Sequence, residues 1–167
     1  MKLKHSGWRL IRFGLVSILA VVAVGCSSIK YYPNTLHKNV LVKVKKLDSG
    51  SMLNEASAHF HVYDIDKQCN LVHLGAVKLD QPEVEVGIPV GKPVVIEVAF
   101  GIGGNTFSTT SSTIRVETML TARKGYFYDV SASYDDGIYD VEVFEKKSRK
   151  SRGQAIELVP SNACKTK

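Results

Sequence analysis

From residue 40 to residue 159 the apolar side chains recur at every second position, in short runs broken by Gly, Pro, Asp and Ser. Period two marks a strand with one face buried and one wet, because successive side chains point to opposite faces. Val40, Val42 and Val44 alternate with Leu41, Lys43 and Lys45, and Phe60 and Val62 oppose His59, His61 and Tyr63. Val94, Ile96, Val98 and Phe100 form the strongest apolar face. Tyr126, Tyr128, Val130 and Ala132 lead into Asp135-Asp136-Gly137, and Tyr139, Val141 and Val143 follow it. Asp-Gly accepts the positive φ that a tight hairpin requires. Further strands are expected at 71–79, 84–88, 114–120 and 155–159, the second between Pro82 and Pro89 and so at a sheet edge. Segment 51–58 has room for one helical turn, and no stretch has a convincing helical apolar stripe. The expectation is an all-β, antiparallel, immunoglobulin-like β-sandwich of about eight strands in one domain, 40–167, with a small β-barrel as the alternative.

The first residues have a different grammar. Lys2, Lys4, Arg9 and Arg12 precede an uncharged apolar run, 13–24. About a dozen residues is short for a membrane span, which needs roughly 20. A basic flank, a short apolar run and small residues read as an export signal, 1–25. Ala23-Val24-Gly25-Cys26 resembles a bacterial lipobox, in which Cys26 is acylated and becomes the new N-terminus; that pattern prefers Leu where Ala23 stands. Ser27 in place of Asp resembles the outer-membrane sorting pattern. Segment 26–39, with Pro33 and no periodicity, reads as the lipidated Cys and a tether. A plain signal peptide or an uncleaved anchor is the alternative.

Composition gains meaning once divided at Cys26. The formal charge is +6, from 22 basic and 16 acidic residues. Four of the basic residues belong to the signal, so 18 remain against the same 16 acids. Lys146, Lys147, Arg149, Lys150 and Arg152 form one run rather than a spread face, which argues against nucleic acid as a partner. That run reads either as a solvated loop or as a contact for anionic headgroups or an acidic partner.

Setting Cys26 aside leaves Cys69 and Cys164. In an exported chain two spare thiols tend to pair, so a disulfide is expected between them. The alternative, a nucleophilic Cys69 with His73 as base, has no local support. Together with this pair, IPVGKPVVIEVAF and RKGYFYDVSASYDDGIYDVEVFE resemble small outer-membrane lipoproteins of gammaproteobacteria that carry an immunoglobulin-like or similar β-sandwich domain. The resemblance covers about half of the chain beyond the signal, and rests mostly on turn and strand grammar. It implies the fold and the envelope location and adds little on activity.

Constellations that carry chemistry are sparse. His59 and His61 share a strand face about 7 Å apart, and His73 on the next strand could add a third zinc ligand; the blander reading is a solvated face beside Tyr63. Gly101, Gly103 and Gly104 suggest a phosphate cradle, but no Gly-Lys-Ser/Thr follows and the next segment reads as strand. Asp64/Asp66 and Asp135/Asp136 are paired acids, suited to calcium or to acid–base work, yet Asp is common in turns for its backbone hydrogen bonds. No Gly-x-Ser-x-Gly elbow occurs. The tyrosines near the Asp-Gly hairpin, Tyr126, Tyr128, Tyr134 and Tyr139, are expected in the core, with an exposed subset available to a partner.

The resulting expectation is a lipid-anchored outer-membrane protein facing the periplasm. It would be a non-enzymatic binding or assembly module with no cofactor, and its partner an envelope protein or peptidoglycan. Alternatives are a lysozyme or protease inhibitor acting through the loop 101–113, and a metal-dependent enzyme built on His59, His61 and His73.

Overall fold

A computed structural model describes residues 29–48, 56–102, 112–135 and 138–166. The signal, Cys26, Gly103, Gly104 and most of the Asp135-Asp136-Gly137 turn lie outside the described residues. Among the described residues nine strands form two sheets. They are β1 (Val40–Asp48), β2 (Ala56–Ile65), β3 (Leu71–Lys78), β4 (Glu83–Val86), β5 (Val94–Ile102), β6 (Ser112–Leu120), β7 (Phe127–Asp135), β8 (Ile138–Lys146) and β9 (Gln154–Ile156). One sheet has the order β4-β1-β7-β8-β9 and the other β3-β2-β5-β6. The fold is an all-β sandwich, and among the described strands no ladder joins the two sheets into the alternative barrel.

The alternation seen in the sequence becomes the core. Ala58, Phe60 and Val62 of β2 are buried against Val94, Ile96, Val98 and Phe100 of β5. Val40 and Val42 of β1, and Tyr128, Val130, Ala132 and Tyr134 of β7, line the facing sheet. Each fully buried Val or Phe contributes roughly 1.5–3 kcal/mol relative to exposure. Asp135 pairs with Ile138, so a two-residue connection closes the β7–β8 hairpin, as Asp-Gly requires. β4 lies at an edge, as its flanking prolines imply.

Three sequence expectations change. The pairing is not wholly antiparallel: β1 runs parallel to β7 from Val40↔Tyr128 to Asp48↔Asp135. Five strands, β2 to β6, lie between β1 and β7 in the chain, so no hairpin constrains this pair to be antiparallel. Ala56 to Ala58, placed in a helical turn by the sequence, belong to β2. Segment 26–39 is not a free tether from Lys30 onward. The Lys30 carbonyl accepts from Ala76 N at 2.8 Å, and Tyr32 N donates to the Ala76 carbonyl at 2.9 Å, so this segment pairs with the outer edge of β3. Tyr32 then buries its ring and donates its hydroxyl to the Gly87 carbonyl at 2.8 Å, carrying the chain across to the β4 side of the other sheet. No apolar alternation marks this strap, because its bonds are made by main chain, the Tyr32 hydroxyl and asparagine.

Asn39 acts there as a side-chain peptide. Its amide donates to the Ile88 carbonyl at 3.0 Å and its oxygen accepts from Ile88 N at 2.9 Å, in buried surroundings. Asn34 does the same one step earlier, accepting from Gly87 N at 2.8 Å and donating to the Glu85 carbonyl at 2.9 Å. The strap also needs a neighbour without a side chain. A Cβ on Gly75 would lie 2.6 Å from Tyr32 Cα.

The other terminus forms a second strap. Met119 N donates to the Val159 carbonyl at 2.6 Å, and Val159 N donates to Thr118 Oγ1 at 2.8 Å, covering the free edge of β6. The 3-10 turn Ser161–Thr166 follows, and Cys164 is bonded to Cys69 in the β2–β3 turn, with Cα atoms 5.8 Å apart. This path passes β5, whose outward Val95 and Glu97 are 0% and 5% exposed.

The N-terminal strap generates a stability prediction. Asn39→Ala leaves the Ile88 N–H and carbonyl buried without partners and should cost about 2–4 kcal/mol. Gly75→Ala should cost about 1–3 kcal/mol through the clash with Tyr32. Urea denaturation midpoints measure both; wild-type midpoints would show that the strap does not hold the edge.

Candidate functional site

The candidate site is the outer face of the four-stranded sheet. Register places His61, Glu97 and Glu117 side by side across β2, β5 and β6, and Tyr63 next to His73 of β3. The β2–β3 register slips between Val62 and Tyr63, which brings His73 rather than Leu74 opposite Tyr63. Tyr63 donates its hydroxyl to Glu97 Oε1 at 3.2 Å, and Ser161 of the C-terminal strap donates to Glu117. Burial, followed by the adjacent Glu97 carboxylate, pushes the Tyr63 phenol up to about 12. Two carboxylates directly opposite each other repel, and these donors offset part of that cost.

Two of the three candidate histidines are brought together. His61 Nδ1 and His73 Nε2 lie 3.0 Å apart, so one ring donates and the other accepts. Burial, and then the neighbouring His73, His59 and Arg115, bring the His61 imidazole down to about 4. His59 stands apart, its ring centroid 6.2 Å from that of His61, and burial lowers its affinity for a proton as well. Among the described residues no three His, Cys, Asp or Glu side chains converge as metal ligands. The facing nitrogens of His61 and His73 are engaged with each other.

The remaining candidates separate by position. Gly101 is within β5 rather than in a loop, paired with Ser57 and Thr113. The inhibitory-loop reading rests on residues beyond it, mostly outside the described set. Asp64 is taken by Lys92 at 2.7 Å and by Ile65 N at 2.8 Å, and the Lys92 bond holds its carboxyl below the usual range. Asp66 accepts from Asn70 N and Gln68 N, both at 2.8 Å, which builds the turn carrying Cys69 at φ 61°. Cys69 is a disulfide partner and not a free thiol. Tyr128 and Tyr134 are core, Tyr126 is half-buried and Tyr139 is exposed.

The basic run is divided. Lys146 bonds Asp129 at 2.8 Å; Lys43 reaches the same carboxylate at 2.9 Å. Burial opposes ionisation of Asp129, but the two ammonium groups outweigh it and keep its carboxyl below the ordinary range. Arg149 pairs with Glu85, donates to the Lys38 carbonyl at 3.1 Å and covers the Phe127 ring. It thereby spans a cleft of about 340 Å³ bounded by β1, β4 and the start of β7. Lys147, Lys150 and Arg152 are exposed, and make no hydrogen bond or ion pair among the described residues. Sequence reasoning did not find the cleft or the Glu97–Glu117 pair. Their residues come from separate strands, and only the register brings them together.

His61 supplies a pH prediction. Its folded pKa lies below that of an unfolded histidine, so between about pH 6.5 and 4 the unfolded chain binds the additional proton. Stability should therefore fall as pH drops through this window. The urea midpoint of His61→Gln should fall less over the same range; an equal decline in both proteins would remove His61 as a cause. No protein-family model matches the chain, and no curated protein sequence matches it.

Proposed function

We propose that the chain is a lipid-anchored envelope protein, held in the outer membrane through an acylated Cys26. Facing the periplasm, it acts there as a non-enzymatic binding or assembly module for an envelope protein or peptidoglycan. The observation that carries this reading is the Cys69–Cys164 bridge. Such a bond persists in an oxidising compartment, which is where the lipobox-like Ala23-Val24-Gly25-Cys26 would send the chain. The sandwich supports a binding role because its long edges are covered by its own termini. A partner is then met by side chains rather than by strand addition.

Topology supports one choice of side chains. β7 and β8 meet in a hairpin at the end of the sandwich away from the β2–β3 turn, and there Ile138 and Tyr139 are 74% and 48% exposed. Successive strand residues point to opposite faces, so this tip offers an aliphatic group on one side and an aromatic group on the other, and both suit contact with a protein partner.

Cys26→Ala should abolish palmitate labelling and move the protein from the membrane to the soluble periplasmic fraction. Retention in the outer membrane without label would refute the anchor. A photocrosslinker replacing Tyr139 should capture an envelope component in cells, and the yield should fall when Ile138→Asp is added. Undiminished capture would exclude this tip as the contact.

A further inference from the structure

The strand directions sort the connections to two ends. Segments 66–70, 87–93, 121–126 and 147–153 join strands at one end, and contain eight Lys or Arg and one acid, Asp66. Segments 49–55, 79–82, 103–111 and 136–137 join strands at the other, and contain no Lys or Arg and three acids. Three cations of the first end are neutralised, Lys92 by Asp64, Arg123 by Glu145 and Arg149 by Glu85. Lys67, Lys124, Lys147, Lys150 and Arg152 are exposed and without an ion pair among the described residues. The same end also exposes Leu71, Val72 and Val90. Apolar side chains among unpaired cations are what an anionic bilayer surface accepts.

The strap says which way this end faces. Tyr31 bridges Ala76 in parallel, so the chain before Lys30 comes from the direction of Leu71 and the basic end. Lys30 stands four positions after Cys26, a reach of at most about 14 Å. Lys30 lies beside Gly75, and from there to Leu71 is about 13 Å along β3. An acylated Cys26 thus reaches little further than the level of that end.

We infer that the basic end docks flat on the anionic lipid surface in which Cys26 is anchored, with Leu71 and Val90 at the headgroup level and the Ile138–Tyr139 tip directed away. This deepens the anchored reading and rests on it. The test uses the full acylated chain on vesicles of phosphatidylethanolamine alone, or with phosphatidylglycerol added. Acetylation of lysines is read by mass spectrometry, with Lys78 at the far end of β3 as reference. On anionic vesicles, labelling of Lys124, Lys147 and Lys150 should fall at least about fivefold relative to Lys78. It should recover in about 0.5 M salt, as screening requires. Lys147→Glu with Lys150→Glu should abolish the protection of Lys124 while the protein still floats with the vesicles. Flotation with both vesicle types and equal labelling would overturn the docking and leave the anchor intact. Flotation with neither would overturn the anchor and the docking with it. Protection in native outer-membrane vesicles alone would assign this end to an acidic protein and overturn the lipid surface.

Discussion

A two-sheet sandwich has edges, and each edge strand presents unpaired N–H and carbonyl groups that another chain can pair with. In this protein the two termini satisfy most of that requirement. Residues 30–32 pair with β3, Asn34 covers the outer side of β4 with its side-chain amide, Asn39 prolongs the β1–β4 ladder to Ile88, and Val159 pairs with β6. The last edge, β9, is only Gln154–Ile156. Covering the edges leaves the faces, the ends and the loops as the surfaces available for function. It also fixes where the chain approaches the domain.

The C-terminal strap is the more consequential of the two, because a covalent bond holds it. Its disulfide links residues 95 apart in sequence, a loop long enough that chain-entropy models assign roughly 4–5 kcal/mol to its closure. The strap also places Ser161 against Glu117 beside the buried Glu97. The polar row of the outer face therefore depends on the bridge for part of its hydrogen bonding. The Asp66 turn that presents Cys69 is itself built from carboxylate-to-backbone bonds.

Much of the sandwich was legible in the sequence, since period two at Val94 to Phe100 or at Tyr128 to Tyr134 has one reading in a half-buried strand. The disulfide was legible from cysteine count once Cys26 was set aside. The strap was not, because Tyr32, Asn34 and Asn39 act through isolated side-chain hydrogen bonds to Glu85, Gly87 and Ile88, some fifty residues away, and such bonds leave no periodic trace. The parallel β1–β7 pair was missed for a related reason: alternation fixes the face of a strand and is silent about the direction of its neighbour. Likewise the His-x-His pattern predicted a shared face correctly, while the β2–β3 register slip decided that His61 meets His73 and His59 does not.

The central claim is that the terminal straps, the second locked by Cys69–Cys164, close the sandwich edges. Native-state hydrogen exchange on the oxidised and the reduced chain tests it most directly. The amide of Met119, bonded to Val159, should lose protection by at least about a hundredfold on reduction, while the Val98 and Phe60 amides inside the sheet change far less. Unchanged protection at Met119 after reduction would contradict the account, because the β6 edge would then be held without the bridge.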